Sequence, residues 1–143
     1  MTDHESEPTC IVGVCARHLY ILAPTTIYFA PALNDMLLAG APFALAHNAP
    51  DAGLSLPIDA FLRSLGNEAG ARAVGVILSG TGSDGSRGIC DVHECGGLVL
   101  CQAPGTARFD GMPRSALETG VVDLTLPPEQ MARVEQELRD DAE

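Results

Sequence analysis

The stretch Val74-Gly-Val-Ile-Leu-Ser-Gly-Thr-Gly-Ser-Asp-Gly85 decides the fold of this chain. Its first part is a continuous apolar run without polar alternation, which is typical of a strand buried on both faces of a parallel sheet. Its second part is a glycine-rich turn that presents one carboxylate, Asp84. Because open parallel sheets place their sites at the carboxyl ends of the strands, this turn is the first candidate for a functional site.

Strand and helix patterns alternate around this stretch. From Pro57, apolar residues recur at i, i+3, i+4 and i+7, which predicts an amphipathic helix. The chain then predicts a strand at 74–78, a helix at 86–94, a strand at 98–101, a helix at 113–118, a strand at 121–126 and a closing helix from Pro127, on which Met131, Val134 and Leu138 line one face. Three strand–helix units in series predict an α/β fold, an open parallel sheet with helices on both faces.

The first third of the chain is less regular. Short strands are predicted at 10–15, 19–23 and 27–29, the last two forming a β-hairpin, and further short strands around 36–38 and 43–45. Residues 1–9 have no apolar periodicity and are predicted to be a disordered tail. Residues 10–143 are therefore predicted to form a single domain.

Composition argues against several classes of protein. Eight basic against nineteen acidic side chains give a net charge of -11, and every basic residue is Arg, so most of this surface would repel nucleic acid. The N-terminus lacks the positive segment and apolar core of a secretory signal. The uncharged run 18–34 is too short for a membrane span and contains Pro24 and Pro31. We expect a cytoplasmic protein without membrane insertion.

No cofactor or metal is predicted. The five cysteines form no paired C-x-x-C spacing, and Cys90 and His93 share a helix face that Cys95 does not. The turn from Gly80 to Gly85 fits the G-x-G-x-x-G pattern of dinucleotide sites, but an acidic residue at the end of the next strand is absent, and the carboxylate inside the turn would repel a pyrophosphate.

Two interpretations of Asp84 remain open from the residues alone. As a helix N-cap, its carboxylate would accept the amide hydrogens of Ser86 and Arg87 and contribute about 1 kcal/mol. As the third member of a Ser-His-Asp triad, it would orient an imidazole at the carboxyl end of the sheet.

A family resemblance rests on several segments. They are Pro57-Ile-Asp-Ala-Phe-Leu-Arg-Ser-Leu65, Ala73-Val-Gly-Val-Ile-Leu-Ser-Gly-Thr-Gly-Ser-Asp-Gly85, Gly96-Gly97, Thr106-Ala-Arg-Phe-Asp-Gly-Met-Pro-Arg-Ser-Ala116 and Gly120-Val-Val-Asp123. Residues from about 57 to 126 thereby resemble the C-terminal half of the bacterial chemoreceptor methylesterase (CheB) domain, particularly the version fused to the receptor methyltransferase. Such domains hydrolyse glutamate methyl esters on chemoreceptors, and some deamidate receptor glutamines.

The resemblance implies a set of site residues. It makes Asp84 the triad carboxylate. The active-site loops it implies comprise Gly80, Thr81, Gly82, Ser83 and Gly85 in the turn, and Gly111, Met112, Pro113 and Arg114 in the following loop.

The rest of the triad is not encoded. The family carries its Ser in a Gly-x-Ser-x-Gly-Gly turn after the first strand and its His in a Gln-His-x-x-Pro-like segment, and neither motif occurs in this sequence. Arg17 falls at the nucleophile position, and Arg is neither a nucleophile nor a base at neutral pH. The alternatives are Cys15 with His18, proposed from sequence proximity alone, and the hydroxyls of the turn at 79, 83 and 86, which we interpret as structural.

Two functional hypotheses follow. The first is a CheB-type methylesterase that is catalytically impaired, or completed by a polypeptide carrying the missing Ser and His. The second is a non-catalytic interaction module that binds a chemoreceptor or another signalling protein. In either case the absent strand–helix units would expose a sheet edge, which predicts a homodimer or a complementing partner.

Overall fold

The computed structural model describes residues 11–12, 34–38, 43–47 and 56–141. The predicted tail and the predicted strands at 19–23 and 27–29 lie outside these ranges. The strands are β1 (Ile11–Val12), β2 (Asn34–Leu38), β3 (Phe43–His47), β4 (Ala73–Ile77), β5 (Leu98–Gln102) and β6 (Leu124–Leu126). The helices are α1 (Pro57–Ala69), α2 (Ser86–Glu94), α3 (Gly111–Glu118) and α4 (Pro128–Asp141), with single 3-10 turns at Gly70–Arg72 and Pro104–Thr106.

The main sheet has four parallel strands in the order β1-β4-β5-β6. Ile11 lies opposite Ala73, and Val74 lies opposite Leu98. Strands β2 and β3 form a separate antiparallel pair. Within the described ranges, β1 pairs with β4 alone, and no helix is long and apolar enough to cross a membrane. The predicted open parallel sheet is confirmed.

The sheet has helices on both faces, as predicted. Helices α1, α2 and α3 cover one face over a core that includes Leu62, Leu65, Ile77, Ile89 and Val92. On the opposite face, α4 packs Met131 and the partly buried Val134 over Val74 and Leu100. Adjacent residues of β4 point to opposite faces, so its uninterrupted apolar sequence fills both cores.

Some predicted boundaries are wrong. Strand β4 ends at Ile77, and the side chain of Leu78 is 48% exposed. Strand β6 begins at Leu124 instead of 121, because Asp123 bonds to Val99 through its side chain as well as its main chain. The Asp123 N–H donates to the Val99 carbonyl, and Asp123 Oδ2 accepts the Val99 N–H, both at 2.8 Å. Helix α3 begins two residues before Pro113, at Gly111.

Candidate functional site

The glycine-rich turn connects the carboxyl end of β4 to α2. Gly82 and Gly85 have φ angles of +85° and +98°, which L side chains rarely adopt. A Cβ on Gly85 would also lie 2.6 Å from Cδ1 of Ile77, whereas one on Gly82 would meet no atom within 4 Å. Gly85 is therefore required by both its backbone angle and its packing, and Gly82 by its backbone angle alone.

Asp84 binds the N-terminus of the preceding helix. Its Oδ2 accepts the N–H of Ile58 at 3.0 Å, and its Oδ1 accepts the N–H of Asp59 at 2.9 Å, both in the first turn of α1. The prediction that Asp84 caps α2 by binding Ser86 and Arg87 is wrong. The Ser86 N–H instead donates to the Ser83 carbonyl, and left-handed Gly85 stands between Asp84 and α2, so the carboxylate serves a helix distant in sequence.

Asp59 makes the complementary contact. One oxygen, Oδ1, accepts the N–H groups of Gly85, Arg87 and Gly88 at 2.9, 3.1 and 2.8 Å, and the residue is 5% exposed. Asp84 therefore caps α1, the helix that contains Asp59, and Asp59 caps α2, the helix that follows Asp84. We call this pair of contacts the reciprocal carboxylate junction. Negative charge at a helix N-terminus is favourable because free N–H groups and the helix dipole meet there.

Sequence reasoning missed Asp59, although a signal existed. Asp59 stands three residues before Leu62 and seven before Gly66, so helical spacing places it on the buried face of α1. A carboxylate on an apolar face needs hydrogen-bond donors, and the first turn of a neighbouring helix supplies them.

The turn is also joined to the loop that leads into α3. The Gly80 N–H donates to the Phe109 carbonyl and the Met112 N–H donates to the Gly80 carbonyl, both at 2.9 Å. A Cβ on Gly111 would lie 3.0 Å from the Gly82 nitrogen and 3.2 Å from its oxygen, so a side chain here would have to push the two loops apart. The structure thus brings together the two loops that the resemblance implied as active-site loops.

Gln102, at the end of β5, was not predicted as a site residue. It is 6% exposed, its Oε1 accepts the Ser79 N–H at 2.9 Å, and its Nε2 donates to the Thr106 carbonyl at 3.1 Å and to Thr106 Oγ1 at 3.3 Å. The Ser79 hydroxyl accepts the Phe109 N–H at 2.9 Å and lies 3.2 Å from the Phe109 carbonyl, to which it can donate.

The remaining predicted residues divide by exposure. Thr81 and Ser83 are exposed on the turn, whereas Pro113 is on the buried face of α3. Arg114 is exposed and pairs with Asp110 one helical turn earlier, with Nε donating to Oδ2 at 2.6 Å. Cys15, Arg17 and His18 lie outside the described residues.

Two large apolar side chains are exposed near these loops. Leu78 and Phe109 are 48% and 49% exposed, and the Arg108 guanidinium lies 5.4 Å from the centroid of the Phe109 ring. We call Leu78, Phe109 and Arg108 the exposed patch. A cation over an aromatic face is attracted to the ring and still presents its charge outward.

The thiols near the site are protonated at neutral pH. Burial raises the pKa of Cys101 to about 11, and burial together with the charges of Asp91 and Glu94 raises the pKa of Cys90. Neither is a ready thiolate nucleophile. The part of the chain from 56 to 141 contains no cluster of three or more His, Cys, Asp or Glu side chains that could hold a metal ion.

A scan of family models matches residues 9–134 to CheB methylesterase. The match covers most of the sequence, and the chain belongs to the CheB methylesterase family.

Individual relatives agree with this assignment. The chain is 41% identical over 117 residues to a protein-glutamate methylesterase/protein-glutamine glutaminase of Moorella thermoacetica, covering 78% of this chain and 28% of that protein. It is 36% identical over 124 residues to the protein-glutamate methylesterase FrzG of Myxococcus xanthus, covering 85% of this chain and 37% of FrzG. An uncharacterized 104.1 kDa protein of Rhodobacter capsulatus is 50% identical over 105 residues, covering 73% of this chain and 11% of that protein.

A solved structure supports the fold. The crystal structure of the CheB methylesterase catalytic domain of Thermotoga maritima superposes with a TM-score of 0.69 at 24% identity, covering 88% of this chain and 67% of that domain. The chain therefore spans about two thirds of that domain and at most about a third of the curated relatives compared above.

Proposed function

We propose that this chain is a CheB-type domain of a chemotaxis-type pathway that binds a chemoreceptor but does not hydrolyse glutamyl methyl esters by the Ser-His-Asp route. The observation that carries the proposal is the set of hydrogen-bond partners of Asp84. Both of its oxygens accept main-chain N–H groups of α1, and no histidine among residues 56–141 hydrogen-bonds to it. A triad carboxylate acts by orienting an imidazole, whereas the two contacts seen here give Asp84 the role of a helix anchor.

The sequence supports this role for Asp84. The Gly-x-Ser-x-Gly-Gly turn would follow β1, where the chain reads Gly13-Val-Cys-Ala-Arg17, and no histidine segment of the family type follows. Removing a single triad member costs orders of magnitude in rate, and two of the three are absent here.

The binding part of the proposal rests on charge and on the exposed patch. Residues 78–88 and 103–114 carry three of the eight basic side chains and two of the nineteen acidic ones, while the whole chain has a net charge of -11. Asp84 is capped by main-chain donors, and Asp110 is paired with Arg114. The remaining charges, Arg87 and Arg108, favour an acidic, glutamate-bearing partner, and complementary charge steers association and register.

Methanol release from a methylated chemoreceptor fragment tests the chemical half. We expect no release above the protein-free blank for the wild type, for Asp84→Asn or for Arg17→Ser, because a restored hydroxyl still lacks its base. Release at a rate comparable with that of a relative carrying the whole triad, lost in Asp84→Asn without loss of stability, would contradict the proposal. Release only after addition of a second polypeptide carrying Ser and His would instead support the complementation hypothesis.

Titration of the same fragment tests binding. We expect a measurable Kd that rises with salt and that rises about tenfold in Arg108→Ala, since the patch loses both its charge and its cover over Phe109. Arg133→Ala is the matched control, because Arg133 is an exposed arginine on α4, which packs on the opposite face of the sheet. Equal effects of the two substitutions would point to unspecific charge attraction. Self-association, and fusion to a methyltransferase in a longer protein, stay predictions.

A further inference from the structure

Gln102 is a buried polar side chain at the carboxyl end of the sheet. It extends from the last residue of β5 across the end of β4, and both ends of its amide are satisfied by groups of the two neighbouring loops. A buried amide of this kind is costly to leave unpaired, so its partners are held to a narrow geometry.

We infer that Gln102 is a positioning residue that fixes the glycine-rich turn relative to the loop leading into α3. Its contacts connect Ser79, which starts the turn, to Thr106, in the 3-10 turn after β5. The Ser79 hydroxyl then bonds the main chain of Phe109, three residues beyond Thr106. The exposed patch and the Gly111 loop therefore share one hydrogen-bonded support, which we call the Gln102 clasp.

The clasp has a consequence for recognition that rests on the proposed function. Leu78 directly precedes Ser79, and Arg108 directly precedes Phe109, so each half of the exposed patch is attached to one half of the clasp. Leu78 and Phe109 are each about half exposed, so packing in the core does not hold their side chains in place. The clasp therefore acts together with the main-chain bonds of Gly80 to Phe109 and Met112 in setting the distance between them, and the shape presented to a receptor depends in part on a residue that does not touch the receptor.

Amide hydrogen exchange on the full chain tests the clasp without any ligand. In Gln102→Met, which keeps length and shape but removes both hydrogen-bonding ends, we expect the protection of the Ser79, Gly80, Phe109 and Met112 amides to fall about tenfold relative to the β4–β5 ladder. Val134→Ala, on the opposite face of the sheet, is the matched control and should not single out these amides. Unchanged relative protection at the four amides would overturn the inference.

A second variant covers the case in which Gln102→Met does not fold. Ser79→Ala removes a single exposed hydroxyl from the same support, and we expect selective loss of protection at Phe109 with the fold intact. Protection at Phe109 equal to that of the wild type would equally overturn the clasp.

Receptor binding supplies the functional readout. We expect Gln102→Met to raise the Kd for the chemoreceptor fragment by about tenfold, whereas Val134→Ala leaves the Kd unchanged. A wild-type chain that fails to bind the fragment would refute the proposed function, while the exchange experiment would still decide the clasp. Normal binding by a variant whose loop amides have lost protection would refute the link between clasp and recognition.

Discussion

The family pattern includes one motif after β4 and one after β1. This sequence has the first motif and lacks the second. After β4, the Gly80–Gly85 turn is retained, and Asp84, Gly82 and Gly85 each have a structural requirement within the chain. After β1, the sequence reads Gly13-Val-Cys-Ala-Arg17, and we propose that this segment has lost the family's nucleophile. The residues retained after β4 therefore support the fold, independently of any part in chemistry.

The strongest way to break this comparison is to remove one carboxylate from the reciprocal junction. Asp59→Ala leaves three N–H groups at the start of α2 without their acceptor, and we expect a loss of roughly 3 kcal/mol in the free energy of unfolding. Asp84→Ala removes two such contacts at a less buried position and should cost about 2 kcal/mol. Urea unfolding of each variant measures both values.

The double variant is the control for this prediction. Because Asp84 accepts the N–H of Asp59 itself, the two losses should not add, and the double variant should cost less than their sum. A loss below about 0.5 kcal/mol for Asp59→Ala would mean that the junction does not support the fold.

Two glycines of the turn sharpen the same comparison. Gly85→Ala combines a left-handed backbone angle with a Cβ placed 2.6 Å from Ile77 Cδ1, and we expect it to cost roughly 2.5 kcal/mol. Gly82→Ala has the same kind of backbone angle in open space and should cost about 1 kcal/mol. Thermal or urea unfolding of this matched pair separates packing from backbone strain, and equal losses would assign the whole effect to the backbone.

The last prediction concerns the thiol beneath the loops, whose effect appears only at alkaline pH. The Cys101 pKa rises from 9.0 to about 11 on burial, so between these values the unfolded chain loses a proton that the folded chain keeps. The free energy of unfolding should therefore fall as the pH rises from 9.0 towards about 11. Cys101→Val should weaken this dependence, which urea midpoints measured on both proteins would show. An identical dependence in the two proteins would mean that the Cys101 thiol does not contribute to it.

The sequence predicted most of the fold where apolar patterns were strong. The β4 run and the Pro57 helix were found with their buried faces, because apolar spacing reports burial directly, and the 86–94 helix was found with its bounds. The early start of α3 and the late start of β6 were missed. Both depend on pairings between residues far apart in the chain, such as Met112 with Gly80 and Asp123 with Val99, which local patterns do not contain.

The candidate site was predicted only in part, again because its contacts join residues far apart in the chain. The two loops were expected together from the resemblance, and the structure places them in contact. The predicted partners of Asp84 were wrong, and Asp59 and Gln102 were missed. Each of these side chains hydrogen-bonds to a residue between 23 and 29 positions away in the sequence. The available signal was a polar residue at a buried position of a helix or strand. Such a signal indicates that a hydrogen-bond partner exists, but it does not identify which residue that partner is.

The reciprocal junction also has a consequence for how the protein opens. Asp59 and Asp84 stand near the two ends of a single helix–strand–turn segment, so their contacts close that segment on itself without help from β1 or β6. A segment fastened in this way forms and melts as one cooperative unit, with α1, β4 and the first turn of α2 losing exchange protection at the same denaturant concentration. Such a unit would be the earliest part of the chain able to hold native structure during refolding.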